Sequence, residues 1–130
     1  MNSNIQRAVL AVVVLFSCSA LAEATQGNSA AGKKIFLQNC VVCHGAEGKG
    51  NGPAAAGLNP KPANFSDPAR QASMTEDKQI HVITAGGSSE KLSPLMPPFG
   101  EALSTQQVRD VVAFIRGNLL GVPPTKVSQN

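Results

Sequence analysis

The segment NCVVCHG, residues 39–45, places two cysteines three positions apart and follows the second at once with a histidine. If this segment is helical, Cys40, Cys43 and His44 share one face, because residues three and four positions apart are neighbours on a helix. Two thiols and one imidazole would then point toward the same bound group. This arrangement constrains the fold more than any other feature, since the chain must build a site around these three side chains.

The chain has 130 residues, enough for one domain, and its few aromatic residues predict a thin hydrophobic core. It has five Phe and neither Trp nor Tyr. We therefore expect a large apolar ligand to complete the core. The 12 Gly and 9 Pro indicate long loops between short helices.

Residues 1–22 have the composition of a secretory signal peptide. A single Arg7 precedes the apolar run of residues 8–16, which is too short to span a bilayer, and Ala20 and Ala22 form an A-x-A cleavage pattern. We expect cleavage after Ala22 and export to the periplasm, without membrane insertion of the mature chain. Loss of Arg7 lowers the formal net charge from +3 to +2, which argues against nucleic-acid binding.

Cys18 offers a second interpretation of the same segment. Residues 15–18, LFSC, resemble a bacterial lipoprotein processing box, in which the cysteine becomes lipidated and N-terminal. We favour a discarded peptide, because the A-x-A site is good and Phe16 is unusual in such a box. A lipid anchor at Cys18 remains the alternative.

Beyond the signal peptide, the composition predicts a short linker, one domain and a flexible tail. We place the linker at residues 23–28, the domain at 29–120 and the tail at 121–130. No segment shows the alternation typical of strands. The sequence therefore predicts an all-α fold of three or four short helices.

Capping residues and helical spacing predict three main helices. The first runs over residues 29–43. Thr75 caps the second, which two glycines end. Ser104 and Gln107 form a capping box for the third, whose apolar stripe extends to Leu119.

Three kinds of site use two thiols and an imidazole on one face of a helix: a zinc site, an oxidisable dithiol and an attachment site for a covalently bound haem. Structural zinc needs four ligands, and His81 would have to supply the fourth from another helix. A redox C-x-x-C occurs at a strand-to-helix turn, and no strand is predicted. C-x-x-C-H is also the attachment signal for c-type haem, in which each thiol adds across one vinyl group and the adjacent imidazole reaches the iron. We favour haem and keep the other two as minor alternatives.

Several segments outside this motif resemble the class I c-type cytochromes, in particular small bacterial periplasmic monohaem proteins and the cytochrome c domains of cbb3-type oxidase subunits. The resemblance covers residues 29–118. It rests on Gly32 and Phe36 of the first helix, CVVCHG, GNGPAAAGL, LMPPFG and LSTQQVRDVVAFIR. It implies the cytochrome c fold, wrapped around one covalently attached haem c and its iron. It also implies that Gly32 lets the first and last helices cross closely, with Phe36 and Phe114 packed at the crossing.

The resemblance also implies which residues hold the haem. Cys40 and Cys43 would form the thioether bonds, with His44 and Met96 as iron ligands on opposite faces. The Nδ1–H of His44 would donate to a backbone carbonyl, and Pro53 occupies the matching position.

Met96 has two rivals as the second iron ligand, Met74 and His81. We favour Met96 because the neighbouring prolines in PLMPPFG stiffen the loop that would hold its sulfur. We expect Met74 to be a core contact and His81 a surface histidine. For the haem propionates, Asn64, Arg70 or a backbone amide could donate.

The resemblance implies an electron-transfer protein instead of an enzyme. It would carry one electron from a reductase or dehydrogenase to a terminal oxidase or reductase, with redox proteins as partners. Two alternatives remain: a haem-bearing subunit of a larger membrane or periplasmic redox complex, and a gas-binding haem protein with a labile sixth ligand.

Overall fold

The computed structural model describes residues 26–121, whose regular structure is entirely helical. The predicted signal peptide, Cys18 and most of the predicted tail lie outside the described residues. The helices are α1 (Ser29–Asn39), α2 (Val41–His44), α3 (Pro68–Ser73), α4 (Glu76–Ala85) and α5 (Thr105–Phe114). Two 3₁₀ turns, Ala55–Gly57 and Gly87–Glu90, and a π-type turn, Ile115–Leu119, complete the fold. The all-α prediction is confirmed.

The first predicted helix is divided at Cys40, where the prediction of one continuous helix over residues 29–43 is wrong. Asn28 caps α1 by accepting from the N–H of Ala31, and the backbone leaves helical geometry at Cys40, with φ −113° and ψ −25°. The N–H of His44 nevertheless donates to the carbonyl of Cys40 at 2.9 Å. Cys40 and His44 thus stay one helical turn apart, as the shared-face argument requires.

Helices α1 and α5 cross at very short range because Gly32 has no side chain. A Cβ at Gly32 would overlap the backbone of Asp110, so the predicted packing role of this glycine is confirmed. Beside the crossing, the rings of Phe36 and Phe114 lie 5.3 Å apart between centroids. Both rings belong to the hydrophobic core, so the crossing is part of it.

The last helix is the most strongly specified element. Ser104 and Gln107 form the predicted capping box, with both reciprocal hydrogen bonds present. Val108, Val111 and Val112 are almost completely buried, which confirms the predicted apolar stripe.

Helix α3 is not one of the three main helices that the sequence predicts. Asp67 accepts from the N–H of Ala69 and so caps this helix, and Pro68 occupies its first turn. Proline is well suited to that position, where its missing N–H costs nothing. The sequence Asp67–Pro68 is therefore a pattern that indicates the start of a helix.

Within residues 26–121, the helices are all too short, or too polar, to cross a lipid bilayer.

Candidate cofactor site

The helices and loops surround a cavity of about 430 Å³. Four of the five predicted site residues line it: Cys40, Cys43, His44 and Met96. Most of its remaining wall is apolar and includes Phe36, Phe65, Val82, Ile83, Val111 and Ile115. A volume of this size suits a large ligand, and the wall is part of the hydrophobic core.

His44 ends α2 and is oriented by two contacts from one loop. Its Nδ1 lies 3.3 Å from the carbonyl oxygen of Ala63. The ring of Phe65 stacks on the imidazole with 4.8 Å between centroids and 18° between planes. An Nδ1–H donated to the carbonyl leaves the lone pair of Nε2 free to bind a metal.

The environment of His44 favours the neutral imidazole that metal binding requires. Burial lowers the pKa of His44, and the positive charge of Arg70 lowers it further, whereas the hydrogen bond to Ala63 acts in the opposite direction. The net effect on the pKa of His44 is a decrease. The ring is therefore predominantly neutral at pH 7.

The prediction that Pro53 accepts from His44 is wrong, because Ala63 occupies that place. After α2 the chain folds back along the helix: the N–H of Gly52 donates to the carbonyl of Cys43 at 3.1 Å, and that of Ala54 to Val42 at 2.8 Å. These bonds keep Pro53 exposed beside α2 and outside the cavity wall. Only the later part of the loop passes the imidazole.

Both cysteines are half-buried free thiols. Burial, and then the proximity of Cys43, raise the pKa of Cys40 to about 11, so this thiol is protonated at neutral pH. A zinc site would need thiolates and two further ligands. Within residues 26–121, no group of three or more His, Cys, Asp and Glu side chains is placed to hold a metal ion.

His81 lies on the surface, away from the cavity wall. Its Nε2 is 3.9 Å from the Oε1 of Glu90, and its side chain is 54% exposed. A redox C-x-x-C normally lies at a strand-to-helix turn, and residues 26–121 contain no strand.

The loop that carries Met96 is tied to the end of α4. The N–H of Gly87 donates to the carbonyl of Met96 at 3.0 Å, and the N–H of Phe99 donates to Ile83 at 2.9 Å. Met74, which follows α3 and was expected to be a core contact, also lines the cavity. Two thioethers are therefore available, but only Met96 lies in a loop stiffened by prolines.

Several polar groups line the cavity and could face carboxylates of a ligand. Arg70 lies in the wall, whereas the Oδ1 of Asn64 accepts from Ser66 and Asn64 is not part of the wall. Lys61, which no sequence motif singles out, also lines the cavity. Its Nζ donates to the carbonyl of Ala55 at 2.7 Å, which closes the loop around the site.

A protein-family model described as cytochrome c matches residues 29–118, most of the chain. The chain belongs to the cytochrome c family. Its cofactor is therefore covalently bound haem c and its chemistry is electron transfer, and members of the family are typically carriers instead of enzymes. The cavity fits this cofactor, because two thiols, a neutral imidazole and a thioether line one large apolar space.

Curated relatives include both small cytochromes and larger subunits. Cytochrome c6 of Gloeothece citriformis is 30% identical over 107 residues, which cover 82% of this chain and 86% of that protein. The gluconate 2-dehydrogenase cytochrome c subunit of Pantoea cypripedii is 29% identical over 70% of this chain and 20% of the subunit. The cbb3-type cytochrome c oxidase subunit FixPc of Rhizobium leguminosarum bv. viciae is 33% identical over 90 residues, which cover 68% of this chain and 29% of that subunit. The chain thus spans about a fifth of the first subunit, but most of the length of the c6 protein.

Among solved structures, the KustC0563 c-type cytochrome is similar, with 30% sequence identity and a TM-score of 0.55. The match covers 68% of this chain and 96% of that one. The resemblance that the sequence motifs indicated is confirmed by these comparisons together.

Proposed function

We propose that the protein is a periplasmic one-electron carrier whose haem is held by Cys40, Cys43, His44 and Met96. One observation carries this proposal: the fold brings these four side chains, from two distant parts of the sequence, to the wall of one cavity. Two thiols beside a histidine suit thioether attachment, and a histidine with a methionine suits iron in a cytochrome c.

The residues of the chain have separate roles in this proposal. When bound, the haem supplies an iron that gains and loses one electron. Cys40 and Cys43 would tether the haem through thioether bonds, and His44, oriented by Ala63, would bind the iron through Nε2. Met96 would also bind the iron, and its proline-stiffened loop would keep the sulfur in place.

With His44 and Met96 both bound to it, the iron would have no open position for substrate or gas. The same two side chains would hold it in both oxidation states, so electron transfer would need little rearrangement. The cavity wall is mostly apolar, and Arg70, which lines it, would pair with a propionate.

Val42 and Leu95, which precede Cys43 and Met96 in the chain, are 52% and 57% exposed. We propose that a partner redox protein contacts these exposed apolar side chains. The near-neutral charge of the mature chain implies little electrostatic steering.

Export to the periplasm is supported by the signal-peptide pattern of residues 1–22. Covalent attachment of haem c in bacteria takes place outside the cytoplasm, which agrees with this location. Cleavage after Ala22 gives a free carrier, and lipidation of Cys18 gives an anchored one.

Carbon monoxide binding tests the carrier function. The reduced protein should show almost no carbon monoxide difference spectrum, because Met96 occupies the sixth position of the iron. The Met96→Ala variant, which opens that position, should bind carbon monoxide readily. Rapid binding by the unaltered protein would instead support the gas-binding alternative.

A second candidate function is a haem-bearing subunit of a larger redox complex. It is favoured by the relatives that are themselves subunits, of gluconate 2-dehydrogenase and of a cbb3-type oxidase. Mass spectrometry of the native N-terminus and co-purification from native membranes distinguish the two. A lipidated Cys18 and a stable partner would favour the subunit, whereas a chain starting at Glu23 and free of partners would favour the carrier.

A further inference from the structure

A buried polar cluster lies beside the cavity and has no part in the proposed ligand set. Arg116, in the turn after α5, is 9% exposed, and Gln79, in α4, is 6% exposed. The Nη1 of Arg116 donates to the Oε1 of Gln79 at 3.1 Å and to the carbonyl of Met74 at 3.3 Å. A buried guanidinium is costly unless it is paired and hydrogen-bonded, so these contacts fix its position.

Glu76 provides the opposite charge for this guanidinium. Its Oε2 lies 3.7 Å from the Nε of Arg116, and neither atom has a hydrogen-bond partner within residues 26–121. The separation is too long for a hydrogen bond, but opposite charges attract at this distance in a partly buried site. Arg116 is thus held between the carboxylate of Glu76 and the amide of Gln79.

The guanidinium determines which way the amide of Gln79 faces. Arginine has only N–H donors, so the amide must turn its oxygen toward Arg116 and its nitrogen away. Gln79 lies three and four residues before Val82 and Ile83, and all three line the cavity. With the oxygen engaged by Arg116, the N–H end of the amide is left free to face the cavity that Gln79 lines.

An amide fixed in this orientation affects the two oxidation states of the haem unequally. Reduction adds one electron to the ferric iron and gives the ferrous iron, with no bond broken and no proton required. The ferric site is more positive by one unit of charge. The positive end of a dipole directed at it disfavours the ferric form more than the ferrous form.

We propose that Gln79 raises the reduction potential of the haem and that Arg116 is the positioning residue that holds its amide. This inference rests on the proposed function, because it requires a haem in this cavity. Its chemistry is electrostatic: Gln79 presents an N–H dipole to the cofactor, and the Glu76–Arg116 pair keeps that dipole from reversing.

The Gln79→Leu holoprotein tests this directly, since leucine keeps much of the volume and removes the dipole. Both proteins are equilibrated with a redox dye at the midpoint potential of the unaltered protein. The ratio of reduced to oxidised haem should fall in the variant on the order of threefold, for an amide dipole in a low-dielectric site. At 59 mV per factor of ten, this is about 30 mV. An unchanged or increased ratio would overturn the proposal.

Gln79→Glu covers the case in which leucine prevents haem loading. Glutamate keeps an oxygen acceptor for Arg116 but replaces the N–H end with a second oxygen. The ratio should fall at least as far as in Gln79→Leu. A ratio equal to or above that of the unaltered protein would again contradict the role of Gln79.

Gln71 offers a matched control, because it lines the same cavity with its amide turned the other way. Its Nε2 donates to the carbonyl of Phe65 at 3.4 Å, so its N–H end is engaged. Gln71→Leu should not lower the ratio. Failure of the proposed function is seen separately, as missing covalent haem or missing Met–iron absorption in the unaltered protein, before any variant is compared.

Discussion

The ring of Phe65 stacks on the imidazole of His44, with 4.8 Å between the ring centroids and 18° between the planes. Ala63, two residues earlier, places its carbonyl oxygen 3.3 Å from the Nδ1 of the same imidazole. One contact fixes the plane of the ring and the other fixes its rotation. A single short loop segment therefore orients the residue that we propose as an iron ligand.

Phe65→Leu should destabilise the holoprotein by about 1–2 kcal/mol, because it removes an aromatic stack while keeping apolar volume. It also removes an edge contact with Phe36, at 6.3 Å between centroids. Thermal unfolding of the holoprotein measures the effect. Leu37→Ala, at a side chain that is 43% exposed, should change stability far less. Equal effects of the two variants would show that the stack contributes nothing.

The denatured mature protein should have the mass of the polypeptide plus one haem, because thioether bonds survive denaturation. The double variant Cys40→Ala, Cys43→Ala should give the bare polypeptide mass under the same conditions. The measurement is intact-protein mass spectrometry after export in cells with working haem-attachment machinery. A bare mass for the unaltered protein in such cells would contradict covalent attachment.

The chain without haem should not fold, because the cavity is part of the core. Without haem, the apolar wall of the cavity, whose volume is about 430 Å³, would be exposed to water, and burial of such surface is the dominant favourable contribution to folding. The double cysteine variant, prepared without haem, should therefore show little helical circular dichroism. A cooperative thermal transition in that sample would refute the prediction.

Gly32→Ala should destabilise the protein by about 2–3 kcal/mol, since the new methyl group would overlap the backbone of Asp110 and push α1 from α5. Gly117→Ala is the matched control, because nothing lies within 4 Å of a Cβ at that position. The control should be neutral or stabilising by up to about 1 kcal/mol. The midpoint temperatures of unfolding of the two holoproteins would be compared, and similar values would argue against a close helix crossing.

The elements with strong local patterns were predictable from the sequence. The capping box at Ser104 and Gln107 and the cap at Thr75 are short-range features, and both occur as predicted. Gly32 could be assigned to a helix crossing because the family resemblance supplied the partner helix. Helix α3 was missed because Pro68 stops a helix at most positions but suits the first turn of one.

The parts of the site that depend on loop geometry were less predictable. Pro53 and Ala63 are both loop residues, and only the path of the folded loop decides which carbonyl meets His44. The cluster of Gln79 with Arg116 joins residues far apart in sequence, so no local pattern indicates it. The grouping of Cys40 with His44 depended only on helical spacing and was therefore accessible from the start. The ligand roles of these residues remain predictions.

The sulfur–iron bond of Met96 is the central feature of the proposed carrier, and near-infrared absorption of the ferric protein tests it most directly. The unaltered protein should show the weak band typical of a thioether bound to ferric haem. Met96→Ala should lose this band and acquire a lower reduction potential, because a thioether ligand favours ferrous iron. Met74→Ala, at the other methionine of the cavity wall, should keep the band. If Met74→Ala abolishes the band while Met96→Ala preserves it, the proposed iron ligation is wrong.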